Sequence, residues 1–227
     1  AFDWNTFIYY STYVLMKDYS GTDDRIYVLD GNGDLTANGY SVAGTDIKGP
    51  LHWNTESGTH VIYFGTTDGR VYKLVDTAGV LALPAAGAWT TYFSDGALDA
   101  VTSAVTSDGT NVYCGGIDGA TNGIYKIRIS DKTMPNAAIS TTTRAVETPP
   151  SYITYATTGL SLFFGTKAAG GTSHIYRVNV GTWSVDATYT EASSEPPTDD
   201  AESDITAVVS VPTFNLYVGE ANGYMHS

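Results

Sequence analysis

Val61-Ile62-Tyr63-Phe64-Gly65-Thr66-Thr67-Asp68-Gly69-Arg70-Val71-Tyr72-Lys73-Leu74 places two short apolar runs on either side of an Asp-Gly pair. Such a pair accepts positive φ and reads as the turn of a tight β-hairpin. The first run recurs as Asn111-Val112-Tyr113-Cys114-Gly115, Ser161-Leu162-Phe163-Phe164-Gly165 and Asn215-Leu216-Tyr217-Val218-Gly219. Its glycines, 65, 115, 165 and 219, are spaced 50, 50 and 54 residues apart. A step of 50 back from Gly65 reaches Leu15, inside Thr12-Tyr13-Val14-Leu15-Met16, a fifth and degenerate copy. A fixed step of this size is the sequence mark of an array of like units.

The second run recurs too, with Tyr27, Tyr72, Tyr125 and Tyr176 in one register and His226 in that slot of the last copy. Asp68-Gly69, Asn122-Gly123 and Asn222-Gly223 are expected to be the hairpin turns. Ile124-Tyr125-Lys126-Ile127-Arg128-Ile129 alternates with period two, which excludes a helix. A strand is expected before each hairpin, over 2–7, 51–55, 100–106, 152–157 and 205–211. A weaker one is expected after it, over 35–42, 89–94, 141–146 and 183–190. No amphipathic helix is legible.

Four short antiparallel strands per repeat make a blade. A lone blade would leave two apolar faces wet, and stacking blades around an axis buries them. The chain is therefore expected to be all-β, a β-propeller of about five four-stranded blades or a segment of a larger propeller. The blades fall at about 1–46, 47–96, 97–147, 148–200 and 201–227, the last one incomplete, so truncation or completion by a segment from elsewhere is expected. The repeated glycines have two readings: close approach between blades, or relief of a bulge.

The charge balance is −13, from 11 Lys and Arg against 24 Asp and Glu. A general nucleic-acid binder needs clustered positive charge and is excluded, and adhesion to anionic lipid is disfavoured. No apolar stretch approaches the roughly 20 residues of a membrane helix, so membrane insertion is not expected. One cysteine excludes an internal disulfide framework. Few lysines and abundant Thr, Ser, Gly and Tyr point to an extracellular or cell-surface location.

The stretch from Gly49-Pro50 through Gly65 and Asp68-Gly69 to Asp76-Thr77-Ala78-Gly79 resembles the quinoprotein-type (PQQ-like) propeller repeat. Ile26-Tyr27-Val28-Leu29-Asp30-Gly31-Asn32-Gly33-Asp34-Leu35 looks like the end of a preceding copy. Leu216-Tyr217-Val218-Gly219-Glu220-Ala221-Asn222-Gly223-Tyr224-Met225-His226 resembles the repeat in pilus-tip adhesins of the PilY type. The resemblance implies a fold that serves many functions. The quinone-dependent enzymes of the family have a ring of about eight blades, regular Trp motifs and, in many members, a vicinal Cys pair. This chain has one Cys, and no blade position is common to its four Trp, so no quinone site is expected.

Asp30, Asn32 and Asp34 are spaced as the first, third and fifth ligands of a calcium loop, but Ser41 occupies the twelfth position, where an acid belongs. The alternative is a plain turn between outer strands. Glu191 to Asp204 is an acidic insertion containing Glu195, Asp199, Asp200 and Glu202. It reads as a solvated, self-repelling loop or as a partner-docking one. The histidines, 52, 60, 174 and 226, have no zinc spacing. Cys114 reads as a small core residue. Tyr9, Tyr10, Tyr13, Tyr19, Tyr40, Tyr92, Tyr152, Tyr155 and Tyr189 exceed the shared slots and read as ordinary strand filling between blades or as candidates for contact with a protein or a sugar. Catalytic motifs are absent. The expected function is non-enzymatic: a secreted or surface module acting through protein contact, adhesion or self-assembly, with no cofactor other than calcium. The alternatives are a quinone- or metal-dependent oxidoreductase and a glycan-binding lectin.

Overall fold

The computed structural model describes residues 2–10, 13–18, 24–30, 32–96, 98–157, 159–167, 173–190, 205–210, 216–220 and 225–226. They form five antiparallel sheets, each a meander in chain order. The first blade is β1 (Phe2–Tyr10), β2 (Tyr13–Asp18), β3 (Asp24–Leu29) and β4 (Tyr40–Val42). The second is β5 (Ile47–Glu56), β6 (Thr59–Thr66), β7 (Val71–Thr77) and β8 (Val80–Ala82). The third has a broken inner strand, β9 (Ala100–Val101) and β10 (Thr106–Ser107), then β11 (Asn111–Asp118), β12 (Thr121–Arg128) and β13 (Ile139–Thr142). The fourth is β14 (Ser151–Tyr155), β15 (Gly159–Gly165), β16 (His174–Asn179) and β17 (Ser184–Thr190). The fifth shows β18 (Ile205–Ser210), β19 (Leu216–Glu220) and β20 (Met225–His226). First strands lie side by side, β1 with β5, β5 with β10 and β14 with β18, at the inside of a propeller-type stack.

Alternation along the second and third strands serves two seams at once. Ile62, Phe64, Tyr72 and Leu74 pack against the first blade, while Val61, Tyr63 and Val71 pack against the third. Both faces are dry, which is why Val61 to Phe64 is continuously apolar. The shared tyrosine slot is real in the pairing: Tyr27 faces Met16, Tyr72 faces Phe64, Tyr125 faces Cys114, Tyr176 faces Phe164, and His226 faces Val218. Phe64 and Tyr72 stack at 4.8 Å, and Phe164 and Tyr176 at 5.1 Å. Cys114 is fully buried, and burial pushes its thiol up to about 12, as suits a core filler.

The glycine after that slot is a point of close approach. A Cβ on Gly65 would lie 2.4 Å from Val101 Cγ1, and one on Gly115 would lie 2.3 Å from the Val146 carbonyl oxygen. Both obstacles belong to the segment leading into the next repeat, so the inter-blade reading of these glycines holds. In the first copy the pairing aligns Lys17 with Gly65, not Leu15, because Lys17 faces Ile26 as Gly65 faces Val71.

Five other expectations need correction. Asn122 and Gly123 are not the turn of the third hairpin. Asp118 pairs with Thr121, so Gly119 (φ 57°) and Ala120 make the turn. Gly123 lies within β12, where a Cβ would meet the Ile139 carbonyl oxygen at 2.6 Å. In the second blade the fourth strand is Val80–Ala82, not 89–94. Ala78 (φ 52°) and Gly79 (φ 86°) reverse the chain at once, helped by the Gly79 amide donating to Asp76 Oδ1 at 2.8 Å. Trp89 sits instead in a 3₁₀ turn, where its indole N–H reaches the Ile129 carbonyl of the third blade at 2.7 Å. In the third blade the outer strand ends at Thr142, since the Arg144 amide turns back onto the Thr141 carbonyl at 3.2 Å. That frees Val146 to accept from Thr102 Oγ1 at 2.6 Å. The inner strand breaks at Ser103, whose Oγ accepts the Gly115 amide at 2.7 Å in place of a strand carbonyl. Likewise only Tyr40–Val42 of the expected 35–42 strand is extended ladder, with Leu35 bridging Leu29.

Polar groups also bind blade to blade. Buried Asp24 accepts the Ile47 amide at 2.6 Å, and Thr106 Oγ1 donates to the Pro150 carbonyl at 2.6 Å. Buried Lys126 donates to the Val180 carbonyl at 3.3 Å and lies 4.4 Å over the Trp183 ring; burial lowers its pKa. Among the described residues, no helix is long and apolar enough to cross a membrane.

Candidate interaction site between the first two blades

At the end of the second blade where β6 turns into β7, the backbone is tightly specified. Thr66 Oγ1 donates to Asp68 Oδ1 at 2.6 Å and accepts the Arg70 amide at 3.2 Å. The Thr67 amide donates to the Asp46 carbonyl at 2.9 Å. This turn presents Arg70. Its Nε lies 3.1 Å from Asp68 Oδ2, and its guanidinium lies 4.6 Å over the Tyr92 ring. The neighbouring Tyr72 hydroxyl, and then Asp68, raise its pKa.

Three tyrosines from separate segments surround that group. Tyr72 and Tyr92 are 5.2 Å apart and tilted, and Tyr40 meets Tyr72 edge-on at 6.2 Å. The ring of Tyr72 is held from behind by Phe64. The Tyr92 backbone is held from the third blade, where Lys132 Nζ donates to its carbonyl at 3.0 Å and to Thr91 Oγ1 at 2.8 Å. Burial raises the pKa of Tyr40 and Tyr72. Tyr40 and Tyr92 stay half-exposed, and the Arg70 side chain is 32% exposed. A rigid guanidinium beside half-exposed tyrosines has the composition of a binding hot spot.

Sequence reading singled out Tyr40 and Tyr92 and missed Arg70. The signal was Arg70 itself, one of 11 basic residues in an acidic chain, beside the shared tyrosine. Its arrangement with Tyr40 and Tyr92 becomes visible only once three distant segments meet.

The other candidates separate. Asp30, Asn32 and Asp34 lie in the turn between β3 and β4. There Asp30 Oδ1 accepts the amides of Asn32 at 2.9 Å and Asp34 at 3.0 Å, which lowers its pKa. That is turn chemistry, and it engages the carboxylate oxygen a calcium loop would offer first. Glu195, Asp199, Asp200 and Glu202 lie outside the described residues. Among the described residues no cluster of three or more His, Cys, Asp or Glu is suited to a metal ion. Tyr152 is 39% exposed on the fourth blade, away from Arg70.

A second polar device, also missed, recurs at the opposite end of the hairpins. Tyr63 donates to Glu56 Oε1 at 2.5 Å, and Lys73 pairs with Glu56 Oε2. One repeat later Tyr113 donates to Asp108 Oδ2 at 2.6 Å. Burial, then the carboxylate, raises both tyrosine pKa values. The fourth blade has Phe163 in this slot and no acid between Tyr155 and Gly159. Tyr113→Phe strips Asp108 of one donor while the Thr110 and Asn111 amides remain. It is expected to cost about 1–2 kcal/mol in urea unfolding. Tyr63→Phe is expected to cost more, because Glu56 would keep only Lys73.

His52 and His174 both have lowered pKa values: burial is the main cause, followed for His174 by Arg144. The fold thus favours the neutral rings. Their contribution is complete above the ordinary value of 6.5 and declines as pH falls from there toward the lower folded values, because the unfolded chain takes up protons first. Between pH 7.5 and 5.5 the urea midpoint of the natural chain is expected to fall relative to a His52→Gln, His174→Gln variant. Parallel pH profiles would refute this.

No protein-family model matches the chain, and no curated protein sequence does. Solved structures do. The chain is similar to Raptor from Chaetomium thermophilum, with 16% identity and a TM-score of 0.62, covering 97% of this chain and 19% of that one. It is similar to the Dos1 propeller, at 11% identity and a TM-score of 0.58, over 92% of this chain and 49% of that one. It also matches a chain of the outer coat vertex of COPII on membranes, at 11% identity and a TM-score of 0.63, over 95% of this chain and 57% of that one. The chain thus spans less than two thirds of each of these neighbours. At such identities the likeness speaks for fold, and it agrees with the stacked four-stranded sheets: the chain is a β-propeller or a segment of a larger one.

Proposed function

We propose that this propeller acts as a protein-binding module of an extracellular or cell-surface protein, with no catalytic role. The observation that carries the reading is the Arg70 cluster: a guanidinium and buried Tyr72 held by contacts from three blades, flanked by half-exposed Tyr40 and Tyr92. Tyrosine and arginine dominate binding hot spots because they bring large area and directed donors at small entropic cost. The acidity of the chain and its shortage of lysine support the location and disfavour nucleic acid as partner. The likeness to a coat-vertex chain supports the scaffold reading by analogy.

The test is affinity capture from the surface and secreted fractions of the source cells, with the natural chain and a Tyr40→Ala, Tyr92→Ala variant of unchanged circular dichroism. A protein retained by the first and lost from the second supports the reading. Equal retention by both, or none by either, overturns it.

A further inference from the structure

We infer that the Arg70 cluster recognises a carboxylate of the partner that has an apolar or aromatic residue next to it. The inference rests on the protein-binding reading and gives its partner a chemistry.

The argument starts from the donors. Asp68 takes Nε, so the N–H groups left to a ligand belong to the two terminal nitrogens. Those nitrogens form the planar fork that matches a carboxylate. The fork is held in place: Tyr92 lies beneath it at 4.6 Å, Asp68 pairs with Nε at 3.1 Å, and Asp68 is itself anchored by Thr66 at 2.6 Å. A pre-organised donor loses little entropy on binding, which is what makes a partly exposed arginine useful.

Charge selects the kind of anion. The site offers one guanidinium, already shared with Asp68, on a chain of net charge −13. A phosphate carries close to two negative charges and is usually met by a group of arginines. A carboxylate carries one. A cationic ligand is disfavoured, because Arg70 already covers the Tyr92 face that a cation would seek. The tyrosines supply the rest of the surface. Tyr40 and Tyr92 stay half-exposed on either side of buried Tyr72, so a side chain next to the carboxylate finds aromatic area to cover.

The experiment pans a phage-displayed random dodecapeptide library on the full chain. Enriched peptides are remade in free form for fluorescence anisotropy, each beside its Glu→Gln or Asp→Asn counterpart and its phosphoserine counterpart. The expected result is enrichment of an acidic residue next to an aromatic or aliphatic one. Arg70→Gln, checked for an unchanged circular-dichroism spectrum, is expected to weaken binding by about 30-fold. Arg70→Lys keeps the charge and loses the fork, and is expected to weaken it by about tenfold. The amide counterpart should bind about as poorly as the natural peptide binds Arg70→Gln. Peptides without a required acid, an amide or phosphoserine form that binds as well or better, or affinity unmoved by Arg70→Gln overturns the inference. In the last case peptides still bind elsewhere, so the protein-binding reading survives. An unenriched library overturns the inference alone, since partner capture reads the broader proposal separately.

Discussion

Gly69→Ala is expected to cost about 3–5 kcal/mol and to lower the urea midpoint more than alanine at any other of the described glycines. Two penalties coincide. Gly69 has φ 78°, where alanine is strained by about 1–2 kcal/mol. A Cβ there would also stand 1.7 Å from the Leu98 carbonyl oxygen. That atom is backbone, so relief requires moving the segment that enters the third blade. Leu98 is itself buried, and its amide is tied to Asp95 Oδ1 at 3.1 Å. Gly33 supplies the control. It has φ 85° with nothing within 4 Å of a Cβ, so Gly33→Ala should show the conformational penalty alone. Equal losses for the two variants would refute the packing account.

Phe64→Ala is expected to cost about 3–5 kcal/mol, from lost transfer energy and the cavity left behind. Phe64 is fully buried in the seam between the first two blades and stacks on Tyr72 with an interplanar angle of 4°. The effect should reach the Arg70 cluster, because the Tyr72 ring loses its backing. Phe164→Ala provides the comparison. Phe164 is equally buried and stacks on Tyr176 at 5.1 Å, but two blades away. Both variants should lose similar stability, and only Phe64→Ala should weaken binding at Arg70. Loss of binding in both would mean that the cluster reports global loosening rather than local support.

The repeat was legible because it depends on near neighbours. A strand buried on both faces must be continuously apolar, and five such strands at a regular spacing require a stack. The aromatic slot and its glycine were legible for the same reason. Errors arose where a turn had competing signals. Asn122-Gly123 carries the preferred hairpin pair, yet the chain turns at Gly119 and Ala120, because Ile124 and Tyr125 must keep register with Gly115 and Cys114. Trp89 has strand propensity, but its indole N–H is satisfied on the neighbouring blade, outside any ladder. Leu15 fitted a repeat step of 50, while cross-strand pairing put Lys17 in the glycine slot.

The candidate site was legible only in fragments. Tyr40 and Tyr92 stood out as surplus aromatics, and Arg70 did not stand out at all. Sheet periodicity, blade count and the interior aromatic ladder follow from local patterning, since each residue's burial is set by the strand it belongs to. The meeting of Tyr40, Arg70, Tyr72 and Tyr92 depends on how far one blade is offset against the next. That offset comes from contacts such as Gly65 on Val101 and Asp24 on the Ile47 amide, between residues more than twenty positions apart. No local pattern encodes such a distance, so the arrangement emerges with the packed seam.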